Sequence, residues 1–339
     1  MARKNVKKIR LGIVGLGNHG GKIAAAILKS KNLVLGACCH YKRDEARRFA
    51  GKYKCRYFDN LKTMAFDENI DAVAIVTPNH LHFDQLKLCI SAGKHIFVEK
   101  PITNTLEEAK KIIGQCRKKG LVLMVGHNYR RNGYVRKIGE LVDKKTIGEV
   151  VSAEINISHG GGMKFTKDDW RYHKYLCPGG PLIMVGIHAA EISNYLFGNA
   201  KQVSAIVKKL YAPMQAEDTS GVLIELERGG VVYLCNNYNT PQMHFIRVMG
   251  TMGVLEYNKN NNLLTLRGPD RNCASGGVRD IKFSNVDTFL EEMEDFGTSI
   301  SNKKNPETGA QEAWDALAIV EAALESYKSK RFITVKKLK

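Results

Sequence analysis

The chain has 339 residues, 44 % of them hydrophobic and 25 % charged, and a formal net charge of +18. That length predicts two domains of roughly 100–200 residues each, in a chain able to bury its own core without staples. No apolar run approaches the roughly 18 residues needed to span a membrane, and no nucleic-acid motif accompanies the positive charge. Neither a membrane nor a nucleic acid is therefore an expected partner. The charge reads first as solvated surface, gathered modestly at the two ends (Arg3, Lys4, Lys7 and Lys8; Lys328 to Lys337), and second as an attraction for an anionic small molecule. Met1–Arg10 is basic and precedes apolar Leu11–Gly17, but that stretch is short and glycine-rich, and Asn18-His19 interrupts it. It predicts a buried first strand rather than a secretory leader. The eight cysteines, Cys38, Cys39, Cys55, Cys89, Cys116, Cys177, Cys235 and Cys273, form no C-x-x-C pair. They predict free thiols in a reducing cytoplasm, with no structural metal site.

Strands and helices alternate through the first third. Ile9–Gly15 predicts a parallel-type strand, apolar nearly throughout, and Gly20–Lys29 a helix. Leu33–Cys39 is a second strand, Arg43–Tyr53 a helix, and Ala72–Val76 a strand ending at Thr77-Pro78. A helix over His82–Ala92 stops at Gly93. His95–Val98 (strand), Leu106–Lys118 (helix) and Leu121–Val125 (strand) complete a β-α-β-α series that implies a parallel sheet wrapped by helices. After Asn128 the pattern changes. Val150–Ser158, Val203–Tyr211, Gly221–Glu227, Val231–Asn236, Phe245–Gly250 and Val254–Tyr257 predict strands joined mostly by tight turns, hence an antiparallel sheet. Helices near Val286–Ser301 and Gly309–Ser329 follow. The predicted architecture is an α/β chain. A doubly wound Rossmann domain occupies residues 1–128. An α+β domain for substrate binding and oligomerisation occupies 129–339, on an open, mainly antiparallel sheet.

Gly15-Leu16-Gly17-Asn18-His19-Gly20 is G-x-G-x-x-G between a strand and a helix. Its first glycine permits a tight turn, its second lets backbone approach a pyrophosphate, and its third lets helix pack on strand. It marks a dinucleotide site. Where NAD binders carry an acid for the ribose hydroxyls, this chain has His40-Tyr41-Lys42-Arg43. Lys42 and Arg43 suit a 2′-phosphate, with His40 or Tyr41 beside the adenine, so NADP is favoured over NAD. In Glu99-Lys100-Pro101, Lys100 ends a parallel strand and faces the ligand crevice. Desolvation there would lower its pKa towards the range of a general acid/base. His188 lies on an apolar helix that starts near Pro181, one turn beyond Met184.

The order of motifs resembles the glucose-fructose oxidoreductase / inositol dehydrogenase / rhizopine-catabolism (Gfo/Idh/MocA) family across essentially the whole chain. The matches are Gly15–Gly20, Thr77–His82, Ala92–His95, Glu99–Pro101, Val125–Arg130, Trp170-Arg171, Gly179–His188 and Gly250–Gly253. The tail from Phe289 to Val335 resembles the family's closing helices and last strand. The resemblance implies oxidation or reduction of a sugar or cyclitol at a ring hydroxyl or ketone. Lys100 would be the acid/base and His188 the histidine binding or deprotonating the reacting hydroxyl. Thr77, Pro78, Asn79, His82, Glu99 and Asn128 would border the cofactor, with Trp170 and Arg171 approaching it from the second domain. Tyr129 and Arg130 would stand near the substrate. Many family dehydrogenases place Asp four residues before the histidine, where this chain has Met184, a side chain that cannot move protons. The resemblance therefore implies a Lys100–His188 pair, as in members acting at sugar C3. A redox-neutral lyase or glycosidase with tightly held NAD, and a non-catalytic NADP sensor, are the other classes the resemblance allows. An open antiparallel sheet with helices for one face predicts a homodimer or homotetramer.

Overall fold

In the computed structural model, which describes residues 8–268 and 277–338, Ile9–Val14 (β1) is buried almost throughout in a six-stranded sheet. Cys273 and the basic Arg3, Lys4 and Lys7 lie outside the described residues. After β1 come α1 (Asn18–Lys29), β2 (Leu33–Cys39), α2 (Arg43–Tyr53), β3 (Arg56–Phe58), α3 (Leu61–Ala65), β4 (Ala72–Ile75), α4 (His82–Ser91), β5 (His95–Glu99), α5 (Leu106–Lys119) and β6 (Leu123–Gly126). All six strands pair in parallel, in the order β3-β2-β1-β4-β5-β6. Helices cover both faces of such a sheet, which is why β1, β4 and β5 read as nearly unbroken apolar runs. The order reverses between β1 and β4, and ligands enter doubly wound sheets at the carboxyl ends of the strands beside that reversal. Helix ends follow local chemistry. Thr105 Oγ1 accepts the Glu108 N–H at 3.3 Å to open α5, and Gly120, at φ 63°, closes it. The short β3 and α3 have no counterpart in the sequence reading, because three and five residues hold too little periodicity to register.

Two compact units make up the chain: residues up to Asn128 with Asp287–Ala313, and Tyr129–Val286 with the chain from Trp314. A single cut at 128 does not anticipate the return of the helix Thr288–Asn302 to the first unit. Its Phe296 meets Phe97 edge-on at 6.2 Å, and Gly297 lies so near Asn32 that a Cβ there would come within 2.7 Å. Such a long-range packing choice leaves no local trace in sequence.

The second unit contains α6 (Gly133–Asp143), β7 (Val150–Ser158), α7 (Ile187–Phe197), β8 (Ala200–Lys208), β9 (Thr219–Leu226), β10 (Val231–Asn237), β11 (Met243–Gly250), β12 (Gly253–Asn258), β13 (Leu263–Arg267), β14 (Val278–Asp280) and β15 (Ile333–Thr334). They form a nine-stranded sheet in the order β14-β13-β12-β11-β7-β10-β9-β8-β15. The sheet is antiparallel except where β7 and β10 run parallel. Side chains alternate across it: Val222, Ile224, Val232 and Leu234 are buried, while Leu223 and Tyr233 point to the other face, Tyr233 50 % exposed. Between Asn128 and Val150, where the sequence reading names no element, the chain forms α6, whose Tyr134, Val135 and Ile138 point inward. The helix expected to run evenly from Pro181 instead opens as a π-helical turn, Leu182–Gly186, before α7 begins. A Cβ on Gly186 would come within 2.7 Å of Asn236 Oδ1 on β10, so the wide turn depends on glycine there.

Candidate active site

The candidate residues fall into two sets, one in each unit. In the first unit the glycine turn matches its chemical reading position by position. Gly15 has φ +93°, and a Cβ there would strike the Val76 carbonyl oxygen at 2.4 Å. A Cβ on Gly20 would meet the Gly15 carbonyl oxygen at 2.1 Å, so this residue sets the close fit of α1 on β1. A Cβ on Gly17 would meet nothing within 4 Å. The space beside Gly17 is open, and α1 starts at Asn18 with no side-chain cap and no acid in its first turn, an arrangement able to receive an anion. His19 in that turn lies edge-on to Phe289, with ring centroids 6.3 Å apart.

Beyond β2, the His40 and Tyr41 rings stack at 4.6 Å. Lys42 pairs with Glu45 at 3.2 Å and Arg43 with Asp59 at 3.8 Å. Both pairs are exposed, and Lys42 holds the Glu45 carboxyl below its usual range. At the ends of β4 and β5 the loops are braced by polar side chains. Thr77 Oγ1 donates to Gln85 Oε1 at 2.6 Å, and Asn79 Nδ2 to Asn104 Oδ1 at 2.6 Å. His82 is buried between the Thr77 and Pro101 carbonyls, with Nε2 at 2.9 Å and Nδ1 at 2.8 Å. Burial pushes its imidazole down to about 4 against the pull of those carbonyls, so it is neutral at pH 7 and donates through one nitrogen. His82 thus sits between Thr77-Pro78 and Lys100-Pro101, its single N–H donating to one of the two carbonyls. Glu99 ends β5 with its carboxyl raised by burial, opposed by Lys100 and Lys22. Asn128 Nδ2 donates to Thr288 Oγ1 at 3.1 Å.

In the second unit His188 is buried on the first turn of α7, directly after the π-helical turn that holds buried Met184. The Tyr129 ring stacks on His188 at 4.0 Å. Arg130 is committed to Glu191: Nε and Nη2 of its guanidinium both meet Glu191 Oε1, deep in the unit. This makes it an anchor of α7, whereas the sequence placed it near substrate. Arg171 lies over the Trp170 ring at 4.3 Å. Their helical turn is held by the Tyr172 carbonyl, which accepts the Gln215 and Ala216 N–H groups at 2.8 and 3.1 Å. Gln85, Asn104, Glu191, Tyr134 and His244 were missed in the sequence. Only Glu191 left a signal, as a lone acid three residues past His188 on an apolar helix, where burial demands a cation. No cluster of three or more metal-ligating side chains occurs among the described residues. No described helix is long and apolar enough to cross a membrane.

Two family models match the chain. One, an oxidoreductase family with an NAD-binding Rossmann fold, spans residues 9–127, and the other, the GFO/IDH/MocA C-terminal domain, spans residues 135–256. The chain is 27 % identical to D-xylose 1-dehydrogenase (NADP(+)) 2 of Haloferax volcanii, over 93 % of this chain and 96 % of that protein. It is 23 % identical to myo-inositol 2-dehydrogenase of Thermotoga maritima, over 97 % and 99 % of the two chains. A crystal structure from Desulfitobacterium hafniense, provisionally named an NADPH-dependent oxidoreductase, superposes with a TM-score of 0.91 at 30 % identity, covering 97 % of this chain and 98 % of that one.

Proposed function

The chain belongs to the Gfo/Idh/MocA family of oxidoreductases, and we propose that it moves hydride between NADP(H) and a ring hydroxyl or ketone of a sugar or sugar derivative. The observation that carries this reading is the place of Lys100. It follows β5, two strands from β1 across the reversal of strand order, and so shares the carboxyl edge of the sheet with the glycine turn. A bound nicotinamide supplies a hydride donor or acceptor at its C4. The chain's own part is placement and proton handling. The glycine turn holds the pyrophosphate, Lys100 exchanges the proton of the reacting oxygen, and His188 binds or shares that hydroxyl. Met184 shapes the pocket without moving a proton. NADP(H) is preferred because Lys42 and Arg43, both exposed and paired with Glu45 and Asp59, can turn to a dianionic 2′-phosphate. The name of the Haloferax relative is consistent with that preference. The excess positive charge extends the substrate class to phosphorylated or nucleotide-linked sugars.

The test is a panel of sugars, sugar phosphates and nucleotide sugars with NADP+ and NAD+, followed at the reduced-nicotinamide absorbance. Stoichiometric reduction of free cofactor by one member supports the reading. Chemistry on a sugar with no net cofactor turnover would establish the redox-neutral class instead. NADP(H) binding with no turnover of any member would establish a sensor.

We also propose that a second copy covers the outer face of the nine-stranded sheet, where Tyr233 and Ile206 are 50 % and 60 % exposed. Light scattering at micromolar concentration should give a dimer or tetramer, and a monomer mass would refute it. Free thiols at the seven described cysteines support a reducing compartment such as the cytoplasm.

A further inference from the structure

Three contacts join one short stretch of chain to one face of α7. Tyr129 lies over His188 with ring centroids 4.0 Å apart and planes 11° from parallel. Next to it, Arg130 is paired with Glu191, and its guanidinium carbon sits 4.7 Å from the centroid of the Tyr195 ring. Positions 188, 191 and 195 are spaced i, i+3 and i+7, which is a single helical face. The stretch therefore grips α7 over two turns, with the buried ion pair as the fixed point and Tyr129 as the part that reaches the imidazole.

The Tyr129 ring has a second near-parallel neighbour. His244 on β11 stacks on it at 5.6 Å with planes 8° apart. Its Nε2 lies 3.1 Å from Tyr134 Oη, and Tyr134 in turn stacks on Tyr257 at 3.6 Å and 4°. His188, Tyr129 and His244 thus form a group of three near-parallel rings, with two tyrosines packed beside His244. Burial pushes His244 down to about 4, so at neutral pH it is an uncharged ring that does not repel a proton carried by His188. The terminal torsion of a histidine side chain has a broad, shallow preference. A flat ring that is itself held by its neighbours narrows that preference to one plane.

We propose that Tyr129 is the positioning residue of His188, setting the plane of its imidazole by stacking on it. The inference rests on the reading of His188 as a group that meets the reacting hydroxyl. The stacked face, not the phenolic hydroxyl, does the positioning, so phenylalanine should substitute and an aliphatic side chain should not.

Two readouts test this. The first needs no turnover: the His188 ring signals in the NMR spectrum of the histidine-labelled protein, assigned by their loss in His188→Gln. Tyr129→Phe should leave them in place. Tyr129→Leu should shift them downfield as the ring current is lost, and broaden them. Should the leucine variant fail to fold, Tyr129→Met fills similar space without a ring plane. The second readout is kinetic. Tyr129→Phe should keep kcat within about two-fold, whereas Tyr129→Leu should lower it about 10–100-fold with little change in NADP(H) affinity, the cost of a displaced catalytic group. In a His188→Gln background the leucine substitution should change the residual rate by less than about two-fold. Unmoved His188 signals in Tyr129→Leu, or losses that multiply in the double variant, would overturn the proposal. If the parent enzyme turns over no sugar, the assignment of His188 fails, while the ring signals still decide whether Tyr129 orients it.

Discussion

The two units present their candidate groups by different means. In the first, the turn at Gly15–Gly20 and the strand ends at Thr77 and Lys100 are positioned by backbone, and the side chains around them (Gln85, Asn104, His82) tie loop to loop. In the second, His188 rests in a stack of side chains beside a buried ion pair, on a helix that enters through an irregular turn. A site built on backbone tolerates change in its neighbours but not in its glycines. A site built on packed side chains fails when one member is truncated. Substitutions in the two units should therefore fail differently, the first losing chemistry or cofactor while remaining folded, the second losing structure.

The largest expected effect is on chemistry in the first unit. Lys100→Met should reduce turnover by about 10²–10⁴-fold, the usual worth of a positioned acid/base. NADP(H) affinity, measured by fluorescence titration, should change far less, because the glycine turn holds the pyrophosphate independently. Near-normal turnover of Lys100→Met on the true substrate would remove the central element of the mechanism.

The same contrast governs what the sequence disclosed. The glycine turn, the strand ends and Lys100 were legible because each follows from local backbone rules: a residue that must be glycine, or a strand that must deliver its last side chain to the crevice. The helix Arg43–Tyr53 and the strand Val150–Ser158 follow their periodicity to the residue. What escaped was nonlocal. The stack of Tyr129 on His244 joins residues 115 positions apart (244 minus 129), and the anchoring of Arg130 by Glu191 joins residues 61 apart. The π-helical turn before His188 brings Gly186 close against Asn236 of a distant strand. The resemblance to known enzymes gave His188 its place in the motif order but could not say what holds it.

The next effect in size belongs to the second unit. Glu191→Gln leaves the Arg130 guanidinium buried without its countercharge, which typically costs about 3–5 kcal/mol. Chemical denaturation followed by tryptophan fluorescence should show that loss, since Trp170 and Trp314 both belong to this unit. Stability within about 1 kcal/mol of the parent would mean that the pair anchors nothing.

His82 in the first unit and His244 in the second are both buried and neutral, and these give the two units a shared acid sensitivity. His82 and His244 are both pushed down to about 4 by burial, against about 6.5 in an unfolded chain. Between those values the unfolded chain binds the extra proton. The stability each contributes is therefore complete above pH 6.5 and is lost as the pH falls towards 4, by about 3 kcal/mol apiece over the whole window. Unfolding free energies at pH 7.5 and 5.0 should differ accordingly. His82→Gln should flatten the pH response of the first unit and His244→Gln that of the second. A variant that keeps the full response shows that its histidine is already charged in the folded protein.

The smallest effect separates cofactors without touching fold or chemistry. Lys42 and Arg43 sit at the exposed end of β2, sharing their charge with Glu45 and Asp59. A 2′-phosphate must draw both cations away from those carboxylates. Two negative charges on one compact group make it the stronger partner, but exposure and salt keep the gain modest. Replacing Lys42 and Arg43 together by alanine should weaken NADP(H) by about ten-fold and leave NAD(H) nearly unchanged, because the pyrophosphate and nicotinamide ends are held elsewhere. Glu45→Gln should act in the opposite direction, freeing Lys42 and tightening NADP(H) slightly. Both shifts should shrink as salt is raised from 50 to 500 mM. Titrations in which the parent binds NAD(H) as tightly as NADP(H) would show that the basic turn is only a solvated surface. The ribose would then be held by its own hydroxyls, with Glu45, freed from Lys42, as the nearest acid to accept them.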